Sequence, residues 1–266
     1  AVWAATLVGE NISISSQNSV AYANGVAYWM GKDKFYKYDG RTQPLRCDLR
    51  KFVFGDFNTA QYDQVFAGTN ESYHEIWWFY CSENSQTVDK YVIYNYLQDI
   101  WYYGNMARTA WLDTGLRDNP LAATYNYNLV NHEQGVDDNE TATTTAIAAS
   151  ISSAQFDLDD GHQFMFIWRV LPDIRFNGST ATSPSAVLSL LPLKNAGSGY
   201  NSPTSEGGSN QGTITRTATL PVEAFTGQLN TRVRGRQLAV KIESTDLGVT
   251  WQLGTPRLDM RPDGRR

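Results

Sequence analysis

The chain has 266 residues, 41% hydrophobic, 13% aromatic and 18% charged, with a formal net charge of -5. That apolar content supports a packed core and excludes a wholly disordered chain. The net acidity argues against general nucleic-acid binding, and no uninterrupted apolar run is long enough to span a bilayer as a helix.

The opening residues, "AVWAATLVGENISISSQ", lack an initiator Met and read as strand material. They lead to the expectation that the chain is a processed product or part of a longer polypeptide. Next, "SVAYANGVAYWMG" offers two strands around Asn24-Gly25, a type I′ hairpin signal. "KFYKYDG" adds a strand that ends on Asp39-Gly40. In "EIWWFYC" one parity carries Trp77, Phe79 and Cys81, and the other Ile76, Trp78 and Tyr80. Both faces are apolar, so this strand is expected to be covered on both sides. "KYVIYNY" has the same two-sided character and follows through the polar turn "SENSQTVD".

Two regions share one order of aromatic strand, polar turn, Lys-aromatic strand, then Asp or Asn: Tyr28 to Gly40 and Trp77 to Tyr96. A weaker third copy is "AATYNYNLVNHEQG". A repeat at a spacing of about fifty residues, with four short strands per unit, is the signature of β-propeller blades. Two or three blades close no ring, so further blades are expected upstream or in a partner.

After "EQGVDDNETATT" the aromatics thin out and longer alternating segments appear. These are "TAIAASISSAQFDL", "HQFMFIWRVLPDIRF", "SAVLSLLPL", "GTITRTATL", "TRVRGRQLAVKIES" and "GVTWQLGTPRLDMRP". Six such strands describe an antiparallel sandwich. The fold expectation is therefore all-β: partial propeller blades over 1–142, then an antiparallel β-sandwich over 143–266. Residues 194–213 are a Gly/Ser/Asn-rich loop, expected to be mobile or held by a neighbouring subunit.

Catalytic and metal motifs are sparse. His74, His132 and His162 lie outside any ligand motif. His132, Glu133, Asp137, Asp138 and Glu140 crowd one run, which suits a hard cation or, more simply, a solvated inter-domain loop. "DLDDG" at Asp157–Gly161 reads as a turn rather than a calcium loop. Cys47 and Cys81 read as two buried thiols, with pairing left open. No nucleophile elbow, phosphate loop or named carboxylate pair is visible, so no catalytic residue, metal or cofactor is assigned.

The basic residues do cluster. Arg232, Arg234 and Arg236 alternate along one segment and are expected to form a row on one strand face. Arg257, Arg261, Arg265 and Arg266 crowd the C-terminus. Fixed guanidiniums suit carboxylates of an adjacent subunit, which makes Arg232, Arg234, Arg236, Arg257 and Arg261 interface candidates. Among the aromatics, Trp101 and Trp111 are the ligand-contact candidates, as for a sugar.

These segments, above all "EIWWFY" and the terminal "RLDMRPDGRR", resemble a family of tailed-bacteriophage structural proteins. The wider likeness is to nozzle or hub proteins of short-tailed phages. It implies a non-enzymatic virion component at the phage tail, assembled in the host cytoplasm as a homo-oligomeric ring. Its partners would be adaptor or portal proteins and fibres, with viral DNA passing through the lumen and no membrane insertion. A carbohydrate-recognising receptor-binding module is the alternative, and a glycan-degrading enzyme a more distant one.

Overall fold

Asn24 (φ 49°) and Gly25 (φ 78°) both adopt left-handed backbone, the combination that a type I′ turn requires. They join β1 (Val20–Ala23) to β2 (Val26–Met30), and β3 (Phe35–Tyr38) and β4 (Thr42–Leu45) extend the hairpin into a four-stranded antiparallel meander. The computed structural model describes residues 7, 9–115, 117–194 and 217–265. Its class is all-β, with antiparallel sheets, one short helix, α1 (Arg50–Gly55), and brief 3-10 turns. The chain divides into two units, Ala1–Gln134 and Gly135–Arg266. The division falls inside the acidic run, ahead of the 142/143 boundary read from composition.

In the first unit a second meander repeats the first: β5 (Phe66–Asn70), β6 (Glu75–Tyr80), β7 (Lys90–Asn95) and β8 (Ile100–Asn105). The third copy is a smaller sheet of three strands, β9 (Ala110–Leu112), β10 (Leu121–Ala123) and β11 (Leu129–Asn131). Strand β6 is apolar on both faces because each face meets another sheet. Ile76, Trp78 and Tyr80, with Val92 and Tyr94 of β7, pack against Tyr28, Met30 and Phe35 of the first sheet. Trp77, Phe79 and Ile93 pack the other way, where Trp111 of β9 closes the cluster. Trp78 and Phe79 are fully buried, and Trp77 is only 6% exposed.

The first strands of the three sheets are neighbours, β1 along β5 and β5 along β9. The Ala67 amide donates to the Asn18 carbonyl at 2.8 Å, and Trp78 Nε1 donates to the Ser19 carbonyl at 3.0 Å. Gly68 on β5 makes room for the third sheet, since a Cβ there would sit 2.3 Å from the Trp111 ring. Among the described residues the three sheets close no ring.

The second unit begins with a short pair, β12 (Asp137–Asp138) and β13 (Thr145–Ala146). There follow β14 (Ala149–Ser152), β15 (Phe156–Asp157), β16 (Met165–Leu171), β17 (Ile174–Arg175), β18 (Ser185–Leu193) and β19 (Ala218–Glu223). The last four are β20 (Leu229–Gly235), β21 (Gln237–Ser244), β22 (Gln252–Leu253) and β23 (Arg257–Pro262). One sheet has the order β14-β21-β18-β19, with β15 also on β21; a second has the order β20-β16-β23; and β17 pairs with β22. Met165, Ile167, Val170 and Val233 of the second sheet share a core with Leu188, Leu190, Leu238 and Ile242 of the first.

Four of the expected long strands are broken, among them "HQFMFIWRVLPDIRF", which yields β16 and β17 in different sheets. "TAIAASISSAQFDL" is strand-forming throughout but falls into β13, β14 and β15, and "GVTWQLGTPRLDMRP" yields β22 and β23. "TRVRGRQLAVKIES" is two strands in two different sheets, β20 and β21, with the corner at Arg236. Gly235 permits that corner, because a Cβ there would lie 2.9 Å from Pro192 Cβ and 3.0 Å from the Gln237 carbonyl. Of the 194–213 loop, residues from 195 onward lie outside the described residues, as does the start of "GTITRTATL".

Replacing Trp78 by Ala is expected to cost about 3–5 kcal/mol, as for a fully buried large aromatic. Leu97→Ala, at a turn residue 69% exposed, is expected to change stability by less than about 0.5 kcal/mol. Urea unfolding followed by far-UV circular dichroism checks both.

Candidate functional site

The alternation of β16, the central strand of β20-β16-β23, sorts the second unit's charges. Met165, Ile167 and Val170 point into the core, with Val233 of β20 and Leu258 and Met260 of β23. The opposite face carries Phe166, which lies between Arg234 and Arg261 in register. Arg169 lies between Asn230 and Asp259, and Leu171 is opposite Arg257. A bulge between Ile167 and Arg169 leaves Trp168 40% exposed in the middle of this face.

Some of these arginines are engaged within the unit. Arg169 Nε donates to Asp259 Oδ2 at 2.5 Å. Arg234 Nε donates to Asp263 Oδ2 at 2.5 Å, and its guanidinium lies 4.0 Å from the Phe164 ring centroid. Arg236 departs from the expected row. It sits at the corner between sheets and donates to the carbonyls of Gly161 (3.0 Å), His162 (3.0 Å) and Arg265 (2.6 Å). It is a staple for the C-terminal segment, because the strand it was expected to continue ends at Gly235.

Arg232, Arg257 and Arg261 are exposed, and among the described residues none forms an ion pair with a carboxylate. Arg261 lies 5.4 Å from the Phe166 ring centroid. Arg266 lies outside the described residues.

The two tryptophans considered for ligand contact are packed between sheets. Trp101 is half-buried, with its ring 4.7 Å from Phe35 and 4.8 Å from Tyr94, and its Nε1 donates to the Arg46 carbonyl at 2.9 Å. Trp111 stacks 4.9 Å from Trp77 and lies 4.7 Å from His132, and its Nε1 donates to the Thr69 carbonyl at 2.8 Å. Ring faces and N–H groups that a sugar would use are thus engaged by the protein itself.

The first unit also holds a polar cluster that its sequence did not announce. Glu75, at the start of β6, accepts from Trp77 Nε1 at 3.0 Å. Burial pushes its carboxyl up to about 7; the Trp77 hydrogen bond opposes this, and the charge of Glu133 adds to it. Burial also raises the Glu133 carboxyl, against the hydrogen bond it accepts from Asn70 Nδ2 at 3.2 Å. Asn70 is fully buried, and its Oδ1 has no hydrogen-bond partner among the described residues. Beside them Arg108, 7% exposed, donates from Nε to His132 Nε2 at 3.0 Å. The only sequence signal for this cluster was the acid opening an otherwise apolar strand, and Glu133 is far from it in the chain.

The other candidates resolve locally. Of the acidic run, His132 and Glu133 belong to the first unit and Asp137, Asp138 and Glu140 to the second. Asp137 Oδ1 accepts from the Gly248 amide at 2.7 Å, and Asp138 Oδ1 from the Glu140 amide at 2.9 Å. "DLDDG" contains a single 3-10 turn, Asp159–Gly161. No group of three or more His, Cys, Asp or Glu with metal-holding geometry occurs among the described residues. Both cysteines are free thiols, with burial pushing Cys47 up to about 12 and Cys81 up to about 11. The chain matches no protein-family model and no curated protein.

A carboxyl held near 7 when folded and near 4.5 when unfolded keeps a proton in the native state that the unfolded chain releases. Native stability therefore falls as pH rises through that window and levels off above it. Glu75→Gln is expected to flatten the decline between pH 5 and pH 8 and to make the variant more stable than the parent at pH 8. Urea midpoints measured across that range check it; an unchanged slope contradicts it.

Proposed function

We propose that the chain is a structural component of a bacteriophage virion, a ring subunit of the tail nozzle or hub type. The carrying observation is the covering of the β5–β8 sheet on both faces by sheets whose first strands run side by side. Propeller blades stack in that manner, so the first unit is read as a run of partial blades and the second as an antiparallel sandwich.

The outer face of the first sheet supports the same reading. It carries Val20 (43% exposed), Tyr22 (68%) and Tyr38 (37%), and the Trp29–Tyr36 stack at 5.3 Å. Residues from 9 onward touch this face, with the Ser13 carbonyl accepting from Trp29 Nε1 at 3.1 Å. An apolar face of this kind fits a further blade, supplied by more sequence or by a partner.

The fold alone does not assign the function. The likeness of "EIWWFY" and "RLDMRPDGRR" to tailed-phage structural proteins supplies the class. In this reading the partners are further copies, adaptor or portal proteins and fibres. The chain's net charge of -5 lets DNA pass through the lumen without adhering. No enzymatic step is assigned. The carbohydrate-binding alternative is weakened by the packing of Trp101 and Trp111.

Purified particles of a phage encoding this chain, labelled with antibodies against it, are expected to carry the label at the tail in several copies. Particles with no label, and no peptides of the chain by mass spectrometry, would overturn the proposal.

A further inference from the structure

Glu75, Glu133 and Asn70 bring more acceptors together than donors. In the β5–β6 register Asn70 stands directly opposite Glu75, so both side chains leave the sheet on one face, with Cβ atoms roughly 5 Å apart. The Asn70 amide also reaches the segment after β11, where its Nδ2 donates to Glu133 Oε1 at 3.2 Å. Glu75 Oε2 accepts from Trp77 Nε1 at 3.0 Å. One oxygen of each carboxyl and Asn70 Oδ1 are left without a donor among the described residues. Asn70 is 0% exposed, and a buried acceptor without a partner calls for an explanation.

The groups nearby are turned elsewhere or add to the imbalance. Arg108 donates to His132 Nε2 at 3.0 Å and to the Ala107 carbonyl at 2.9 Å. Tyr91 of β7 and Tyr102 of β8 feel the Glu75 charge, which helps burial to raise both phenols. Burial likewise raises the Glu75 and Glu133 carboxyls, a preference that a bound divalent cation reverses by holding both ionised. The three residues are graded from water inward: Glu133 is exposed, Glu75 half-buried and Asn70 buried. An ion therefore has an open side to enter from.

We infer that Glu75, Glu133 and Asn70 form a calcium site. One oxygen of each carboxyl and the Asn70 side-chain carbonyl ligate the ion, and water completes its shell from the Glu133 side. Calcium takes this mixture of carboxylate, amide and water oxygens, and two carboxylates balance its charge. With only two acidic ligands the site belongs with weak ones, with Kd on the order of 10⁻⁴ to 10⁻³ M. The bound ion ties β5 and β6 to the segment after β11, and so fastens the third sheet to the second. Of the acidic run that sequence suggested for a hard cation, Glu133 alone takes part.

The test uses the full chain, stripped of metal with a chelator and titrated with calcium chloride at pH 8. The melting midpoint is followed, with sodium chloride of matched ionic strength as control. The parent's midpoint is expected to rise by several degrees at about 10 mM calcium, and not with sodium. Terbium, which occupies oxygen-lined calcium sites, reports the location. Bound at Glu75 it lies beside Trp77, and it is expected to emit on tryptophan excitation until calcium displaces it. Glu133→Gln and Glu75→Gln, made separately, are each expected to bind calcium at least roughly tenfold more weakly and to dim that emission.

A parent midpoint that ignores calcium, or that sodium raises equally, overturns the inference. A calcium response that both variants keep in full overturns it too, because the ion then sits elsewhere. The readouts need only the purified chain, so they fail or succeed independently of the virion reading.

Discussion

The first unit depends on the burial of β6 from both sides. A strand with Trp77 and Phe79 on one face and Trp78 and Tyr80 on the other cannot border water on either without exposing two large aromatics. The chain meets that demand with a sheet on each face. The remaining features serve the close approach this requires. Gly68 clears a path for the Trp111 indole, Ser19 takes the Trp78 N–H through its carbonyl, and Asn18 links to β5 through a backbone bond. Covering one sheet with another passes the problem outward, since the outer face of the first sheet is apolar in turn. The proposal of further blades follows from that propagation.

The second unit solves a different problem. Its two larger sheets put aliphatic side chains between them, and the outward face of β20-β16-β23 is free to carry charge. On β20-β16-β23 that freedom is taken by arginine. Two of the arginines hold carboxylates of the same unit, and Arg236 ties three backbone carbonyls of neighbouring segments. Exposed ion pairs of this kind add little to stability. Their value is in fixing the orientation of the guanidiniums and in discriminating among partners.

Much of this was legible from local chemistry. The Asn24-Gly25 turn, the strand nature of "EIWWFY" and "KYVIYNY", and the two-sided covering of Trp77 and Trp78 follow from turn propensity and period-two patterning. Strand breaks were less legible. The alternation of "TRVRGRQLAVKIES" passes through Gly235 without interruption, yet the chain changes sheets there, because Pro192 and Leu193 of β18 crowd that position. Only tertiary neighbours decide such a corner. The packing of Trp101 and Trp111 was not legible for a related reason, since an indole packed between sheets and an indole offered to a ligand have the same local sequence. The meeting of Glu75, Glu133 and Asn70 was not legible, because it joins β5, β6 and the residues after β11 through pairings that no local pattern encodes.

The central claim is that the first unit is part of a longer stack of sheets within a ring. A density map of the assembled particle at side-chain detail tests it most directly, read at the outer face of the β1–β4 sheet. The account predicts another antiparallel sheet seated over Val20, Tyr22 and Tyr38, repeated about an axis. That face bordered by solvent in every copy, with no sheet upon it, would contradict it.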